Sequence, residues 1–111
     1  MSDPTPVTTP LRPAVERLAG RLRALPQRRL QAGAAAEGLA LARWLAFRAQ
    51  ELEFPGRQPY EVPDDGVFTV GDQLEVAGND LAAALEADPE NTANLLAEAL
   101  RRVAAAADVI G

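Results

Sequence analysis

The sequence predicts an all-α protein: a four-helix bundle of the up-and-down kind, with a long Pro-rich covering loop between the second and third helices. Apolar residues recur every three or four positions along most of the 111 residues, which is the spacing of one helix face. Proline and glycine break this pattern at only a few places, and no strand is predicted. The length suits one core. We therefore expect a disordered N-terminal tail over residues 1–9 and a single helical domain over residues 10–111.

The first predicted helix begins between Pro10 and Pro13 and ends at Pro26. Proline is tolerated in the first turn of a helix, and the residue before a proline avoids the helical conformation. The second predicted helix extends from about Pro26 to Glu53 and is apolar on two sides. Such a helix is typical of the centre of a bundle or of a contact with a second subunit.

The connection over residues 54–66 contains three Pro and two Gly, which forbid a regular helix. Its apolar residues predict that it folds back and covers one end of the bundle. A long loop is also a candidate recognition site, although core-capping is the interpretation we favour. The third helix is predicted over residues 67–86 and the fourth over residues 89–109, and their short connection predicts an antiparallel hairpin.

Two glycines in the third predicted helix are seven residues apart, and each costs stability relative to alanine there. This spacing indicates that another helix approaches closely. The candidate helix-packing or dimer interface consists of Gly71, Leu74, Gly78 and Leu81.

The composition excludes most familiar catalytic sites. The chain has no Cys and no His, which removes zinc sites and Ser-His or Cys-His catalysis as they are normally built. It also lacks Lys, so it has no phosphate-binding loop of the usual type. We predict no cofactor and no enzymatic activity. The absence of Lys is most simply explained by a GC-rich bacterial genome.

No apolar segment approaches the length of a membrane span, and the N-terminus does not resemble a signal peptide. We therefore expect a cytoplasmic protein without membrane contacts.

Charge is distributed unevenly along the chain. Residues 1–57 carry nine Arg and five acidic residues, whereas residues 58–111 carry two Arg and eleven acidic residues. The two halves either pair within one molecule, which we favour, or leave a basic surface for an acidic partner. The candidate partner-binding residues are Arg17, Arg21, Arg28 and Arg29. The acidic net charge and the lack of a recognition helix argue against nucleic acid as that partner.

The leading hypothesis is a non-enzymatic helical protein–protein interaction or regulatory module that self-associates as a homodimer. The first alternative is nucleic-acid or acidic-partner binding through the Arg-rich first helix. The second is a carboxylate- and metal-dependent enzyme that uses Asp72 and Glu75, which are three residues apart on one helix face. This second signal is weak, because such sites need several acids from two helices.

Overall fold

The computed structural model describes residues 8–111. In chain order, its helices are α1 (Leu11–Ala24), α2 (Gln27–Arg29), a π-helical segment (Leu30–Ala34), α3 (Ala35–Glu53), α4 (Val70–Ala87) and α5 (Ala93–Ile110). Because α2 is a single turn, the long helices are α1, α3, α4 and α5. No strand occurs in residues 8–111, so the prediction of an all-helical protein with four helices is confirmed. Of the predicted tail over residues 1–9, residues 1–7 lie outside the described residues.

Three predicted helix starts differ from the structure. The second predicted helix is interrupted at Gly33, which has a φ of 142°, and regular helix resumes only at Ala35. The third predicted helix, α4, begins at Val70 and not at residue 67, because residues 67–69 form a turn. The fourth begins at Ala93 and not at Pro89, because the intervening residues form a turn. Thr92 Oγ1 donates to the carbonyls of Leu85 and Asp88, at 3.2 and 2.8 Å, and so closes that turn.

The four long helices enclose one aliphatic core. α4 and α5 each pack against both α1 and α3, so the helices occupy the corners of a square in the order α1, α4, α3, α5. The largest fully buried side chains are Leu11, Val15, Leu18, Leu22, Leu45, Leu74, Leu81 and Leu85. Burial of these leucine and valine side chains is the main favourable contribution to folding.

Ion pairs and close contacts give the helix directions. Arg12, at the start of α1, pairs with Glu86 at the end of α4, and Arg23, at the end of α1, pairs with Asp72 at the start of α4. These two helices are therefore antiparallel. The start of α3 also lies near the end of α1. Gly38 is in the first turns of α3 and Leu22 is in the last turn of α1, and a Cβ built on Gly38 would lie 2.9 Å from Leu22 Cδ1.

α3 and α4 run in the same direction, which corrects the expectation of up-and-down order. The start of α3 lies at the start of α4, since a Cβ on Gly38 would lie 2.7 Å from Val70 Cγ1. The reason is the path of residues 54–69, called the crossover below. It turns back along α3, with Tyr60 bonded to Gln50 and Val62 bonded to Arg43, before α4 begins. α3 is about 28 Å long, a distance that the extended crossover can span.

α5 is antiparallel to α3 and parallel to α1. Arg48 Nη1 in α3 lies 3.6 Å from the carboxylate of Glu98, while the Arg102 guanidinium lies over Trp44, one turn earlier in α3. The α3–α4 and α1–α5 edges of the square are therefore on opposite sides of the molecule. No helix in the part of the chain that the structure describes is long and apolar enough to cross a membrane.

Candidate protein-interaction site

The crossover is fastened to α3 and α4 by side chains. Gln50 Nε2 donates to the Tyr60 carbonyl at 2.8 Å, and Gln50 Oε1 accepts from the Tyr60 N–H at 2.7 Å. Arg43 Nε donates to the Val62 carbonyl at 2.8 Å, and Gln73 Nε2 donates to the Pro63 carbonyl at the same distance. These bonds replace the backbone partners that a Pro-rich segment cannot find in a helix or a sheet.

A groove of about 470 Å³ lies between α3, the crossover and α4. Its apolar surface comes mainly from the crossover and from small residues of the two helices, and its charged lining residues are all acidic. The surface called the acidic edge below consists of Glu53, Phe54, Tyr60, Asp65, Val76 and Asp80. The groove can accept an apolar group, and its charge favours a basic neighbour.

Most aromatic side chains are on the surface. The chain has three Phe, one Tyr and one Trp. Phe47 is 43% exposed, Phe54 48%, Tyr60 67% and Phe68 66%, whereas Trp44 is half-buried against the core. The core is filled with aliphatic residues instead. Because aromatic rings contribute most when they are buried, these exposed rings are poorly explained by stability alone.

Within residues 8–111, three arginine side chains lie over two aromatic rings. The Arg102 guanidinium carbon is 4.4 Å from the centre of the Trp44 ring, and that of Arg48 is 5.7 Å from the same ring. Arg57 lies 5.3 Å from the centre of the Phe54 ring. Each geometry permits a cation–π attraction.

The basic and acidic halves of the chain meet between α1 and α4. Arg12 Nη2 lies 2.8 Å from Glu86 Oε1, and Arg12 Nε and the Thr9 N–H both bond the other oxygen of that carboxylate. Hydrogen bonds from Arg12 hold the pKa of Glu86 below its usual value despite burial. The hydrogen bond with Glu86 likewise raises the pKa of Arg12. Part of the charge asymmetry is therefore neutralised within the molecule.

Of the four predicted partner-binding arginines, two hold the end of α5. Arg21 donates to the Ala107 carbonyl at 3.3 Å and Arg29 to the Ile110 carbonyl at 3.1 Å. A guanidinium at this position favours the negative end of the helix, and Arg29 also satisfies the Ile110 carbonyl, which has no partner within the helix. The side chains of Arg17 and Arg28 are exposed and make no hydrogen bond or ion pair with residues 8–111.

The two carboxylates considered for magnesium share one arginine. Arg23 pairs with Asp72 at 2.7 Å and also with Glu75, and these hydrogen bonds raise the pKa of Arg23. Among residues 8–111, no group of three or more potential ligands is placed to hold a metal ion. Asp72 and Glu75 thus join α4 to α1 in this structure.

The predicted glycine-containing face of α4 points into the molecule. A Cβ on Gly71 would lie 3.1 Å from the Ala19 carbonyl oxygen, and one on Gly78 would lie 2.5 Å from Val15 Cγ1. Leu74 and Leu81 are fully buried in the same core. The helix that approaches these residues is α1 of the same chain.

A second groove, of about 350 Å³, lies between α1 and α5. Its floor is apolar and its charged lining residues are both arginines. The surface called the basic groove below consists of Arg17, Leu18, Arg21, Leu100, Val103 and Ala104. It lies on the side of the square opposite to the acidic edge, because α1 and α5 form the edge opposite to α3 and α4.

No known protein family matches this chain, and neither curated proteins nor solved structures provide a match. The site must therefore be interpreted from its own geometry. Phe54 and Tyr60 belong to the connection over residues 54–66, which the sequence indicates as a candidate recognition loop although core-capping is the favoured interpretation, whereas Val76 is not among the candidate site residues. The available signals were the apolar residues of the Pro-rich connection and a valine outside the main apolar stripe of the third predicted helix.

Proposed function

We propose that this protein is a non-enzymatic helical interaction module that self-associates, with the acidic edge as one of its contact surfaces. The observation that carries the proposal is the placement of its aromatic side chains. Four of the five aromatic residues are exposed while the core is aliphatic, and two of the four, Phe54 and Tyr60, lie together on the acidic edge. Aromatic residues are enriched at the centres of protein interfaces, where they contribute much of the binding energy.

Two further features support this proposal. The backbone on both sides of the Tyr60 ring is fixed by Gln50, and a preorganised contact residue loses little entropy on binding. In addition, the carboxylates that a metal-dependent enzyme would need, Asp72 and Glu75, already share Arg23.

Sedimentation velocity from low to high micromolar concentration tests the proposal. We expect the wild-type weight-average mass to rise with concentration. The variant Tyr60→Ser/Val76→Ser removes two apolar contacts from the acidic edge, so we expect self-association to weaken by about tenfold or more, the loss typical of a central interface contact.

A matched control removes equivalent side chains elsewhere. Phe68 and Val109 are 66% and 68% exposed, close to the 67% of Tyr60 and the 61% of Val76. Phe68→Ser/Val109→Ser should therefore associate as the wild type does. A wild-type protein that stays monomeric at every concentration, or equal effects of both double substitutions, would refute the proposal.

The composition supports a further proposal about the source and location. The complete use of Arg in place of Lys, the absence of Cys and the lack of a long apolar segment fit a cytoplasmic protein of a bacterium with a GC-rich genome. Fractionation of the native cells tests the cytoplasmic location directly, and recovery of the protein from the membrane or the culture medium would contradict that location.

A further inference from the structure

The molecule carries opposite charges on two opposite apolar surfaces. On the α3–α4 side, the charged residues of the acidic edge are Glu53, Asp65 and Asp80, and none of them has an ion-pair partner within residues 8–111. On the α1–α5 side, Arg17 and Arg21 are the charged residues of the basic groove. The chain therefore presents complementary surfaces that cannot meet within one molecule.

The shapes of the two surfaces are also complementary. Tyr60 is the most exposed aromatic residue, and it extends from a crossover whose backbone is fixed by Gln50. The basic groove is a cleft of about 350 Å³, and the apolar side chain that its floor presents is the half-buried Leu100. An aromatic ring inserted there would contact leucine below and arginine at the sides. The chain already uses such arginine–aromatic contacts, as between Arg102 and Trp44.

We propose that the acidic edge of one molecule binds the basic groove of a second copy, with Tyr60 inserted between α1 and α5 of that copy. This inference rests on the proposed self-association and specifies its geometry. The contact pairs two different surfaces, so every added copy leaves one free edge and one free groove. Association of this kind is open-ended unless the rotation between copies closes a ring.

A symmetric contact between two acidic edges is disfavoured by its charges. It would bring Glu53, Asp65 and Asp80 of both copies together, and like charges at an interface oppose binding. The head-to-tail contact instead places these carboxylates beside Arg17 and Arg21. Because exposed ion pairs are screened by salt, we expect self-association to weaken as the salt concentration rises.

Two variants, each blocked on one surface, test the geometry. The edge variant, Tyr60→Ser/Val76→Ser, loses two apolar contacts of the acidic edge and retains an intact basic groove; because its carboxylates remain, its edge is repelled by the glutamates of the groove variant. The groove variant, Arg17→Glu/Ala104→Glu, retains an intact acidic edge and leaves the Arg21 hydrogen bond to α5 in place. We expect each variant alone to be monomeric in sedimentation velocity. An equimolar mixture should form a one-to-one dimer and nothing larger, because only one productive contact remains.

A matched control reverses two charges outside both surfaces. Arg28 and Glu90 are exposed, and Arg28→Glu/Glu90→Arg should associate as the wild type does. Far-UV circular dichroism and thermal unfolding show whether each variant retains its helices. Any variant that loses them is replaced by its single substitution, Tyr60→Ser or Arg17→Glu.

The possible results distinguish a failure of the head-to-tail contact from a failure of the proposed self-association. If the wild type associates but the groove variant associates equally well, the basic groove is not part of the contact and the inference is wrong. If the wild type associates and the mixture stays monomeric, the inference is also wrong. If the wild type is monomeric throughout, self-association itself fails. In that case, binding of a synthetic amphipathic peptide of Arg and Leu to the wild type but not to Tyr60→Ser/Val76→Ser would assign the acidic edge to a foreign basic partner.

Discussion

Val15 of α1 packs directly onto the backbone of α4 at Gly78. A Cβ built on Gly78 would lie 2.5 Å from Val15 Cγ1 and 2.8 Å from Cγ2, closer than non-bonded carbon atoms approach one another. Valine has a single favoured side-chain rotamer in a helix, so it cannot turn away. The distance between α1 and α4 therefore depends on the absence of a side chain at this position.

Gly78→Ala should destabilise the protein. The added methyl group forces α1 and α4 apart or strains Val15, and overpacking of this kind costs about 1–3 kcal/mol. Urea unfolding followed by circular dichroism measures the loss. The companion variant Gly78→Ala/Val15→Ala removes the clashing methyl groups, so its stability should differ from that of Val15→Ala by much less than the first substitution costs.

Gly20→Ala should have the opposite effect. Gly20 lies within α1, and a methyl group added there would meet no atom of a neighbouring element within 4 Å. Alanine therefore brings only its higher helix propensity, about 0.5–1 kcal/mol. The same urea experiment should show a higher midpoint. A loss of stability at Gly20, or a gain at Gly78, would contradict this account of how the glycines are used.

These glycines illustrate what the sequence can predict. The seven-residue spacing of Gly71 and Gly78 predicts a close approach along one helix face, because helical periodicity fixes which residues are neighbours. It cannot identify the approaching helix, since α1 of the same chain and a helix of another subunit would need the same face. The apolar stripes likewise predict four helices but not that α3 and α4 are parallel.

The direction of α4 depends on the crossover, whose path follows no periodic pattern. It is fixed by single bonds such as those between Gln50 and Tyr60, and a glutamine in a helix gives no sequence signal that it will bond a loop ten residues away. The acidic edge exists only because of this path. For that reason, its apolar residues could be noticed in the sequence, but their meeting with α4 could not be predicted.

Gln50→Ala should loosen the crossover while the helices stay folded. The substitution removes two hydrogen bonds to the Tyr60 backbone, each contributing about 0.5–1.5 kcal/mol. Local opening should therefore become about tenfold more frequent. Trypsin cleavage after Arg57, which is exposed in the same segment, measures that opening.

Gln58→Ala is the matched control, because Gln58 is exposed in the crossover and makes no side-chain hydrogen bond within residues 8–111. Its cleavage rate should equal that of the wild type. Equal rates for Gln50→Ala and the wild type would mean that Gln50 does not hold the crossover in place.

The Arg12–Glu86 pair should make stability depend on acid pH. The pKa of Glu86 is lower in the folded protein than the ordinary value of 4.5, chiefly because of hydrogen bonds from Arg12. The folded state thus favours the charged carboxylate. Its contribution is complete above the unfolded pKa and is lost as the pH falls from that value through the lower, folded pKa.

Glu86→Gln replaces the carboxylate with an amide that does not ionise, so the variant lacks this pH-dependent contribution to stability. The difference in unfolding free energy between wild type and variant should be largest at neutral pH and should shrink as the pH falls below about 4.5. Glu90→Gln, at an exposed glutamate in the turn before α5 that makes no ion pair within residues 8–111, is the matched control for the loss of one carboxylate. A difference between wild type and Glu86→Gln that stays constant down to strongly acid pH would contradict the assignment.

Gly33→Ala should destabilise the protein for a reason different from that at Gly78. Nothing lies within 4 Å of a Cβ at Gly33, but its φ is 142°, a conformation that L-residues with a side chain rarely adopt. The penalty is therefore in the backbone and amounts to about 1–3 kcal/mol. Removing a neighbouring side chain, as in Gln31→Ala/Gly33→Ala, should recover none of it, whereas Val15→Ala relieves Gly78→Ala. If Gly33→Ala is as stable as the wild type in urea, the chain does not need a glycine to turn between α2 and α3.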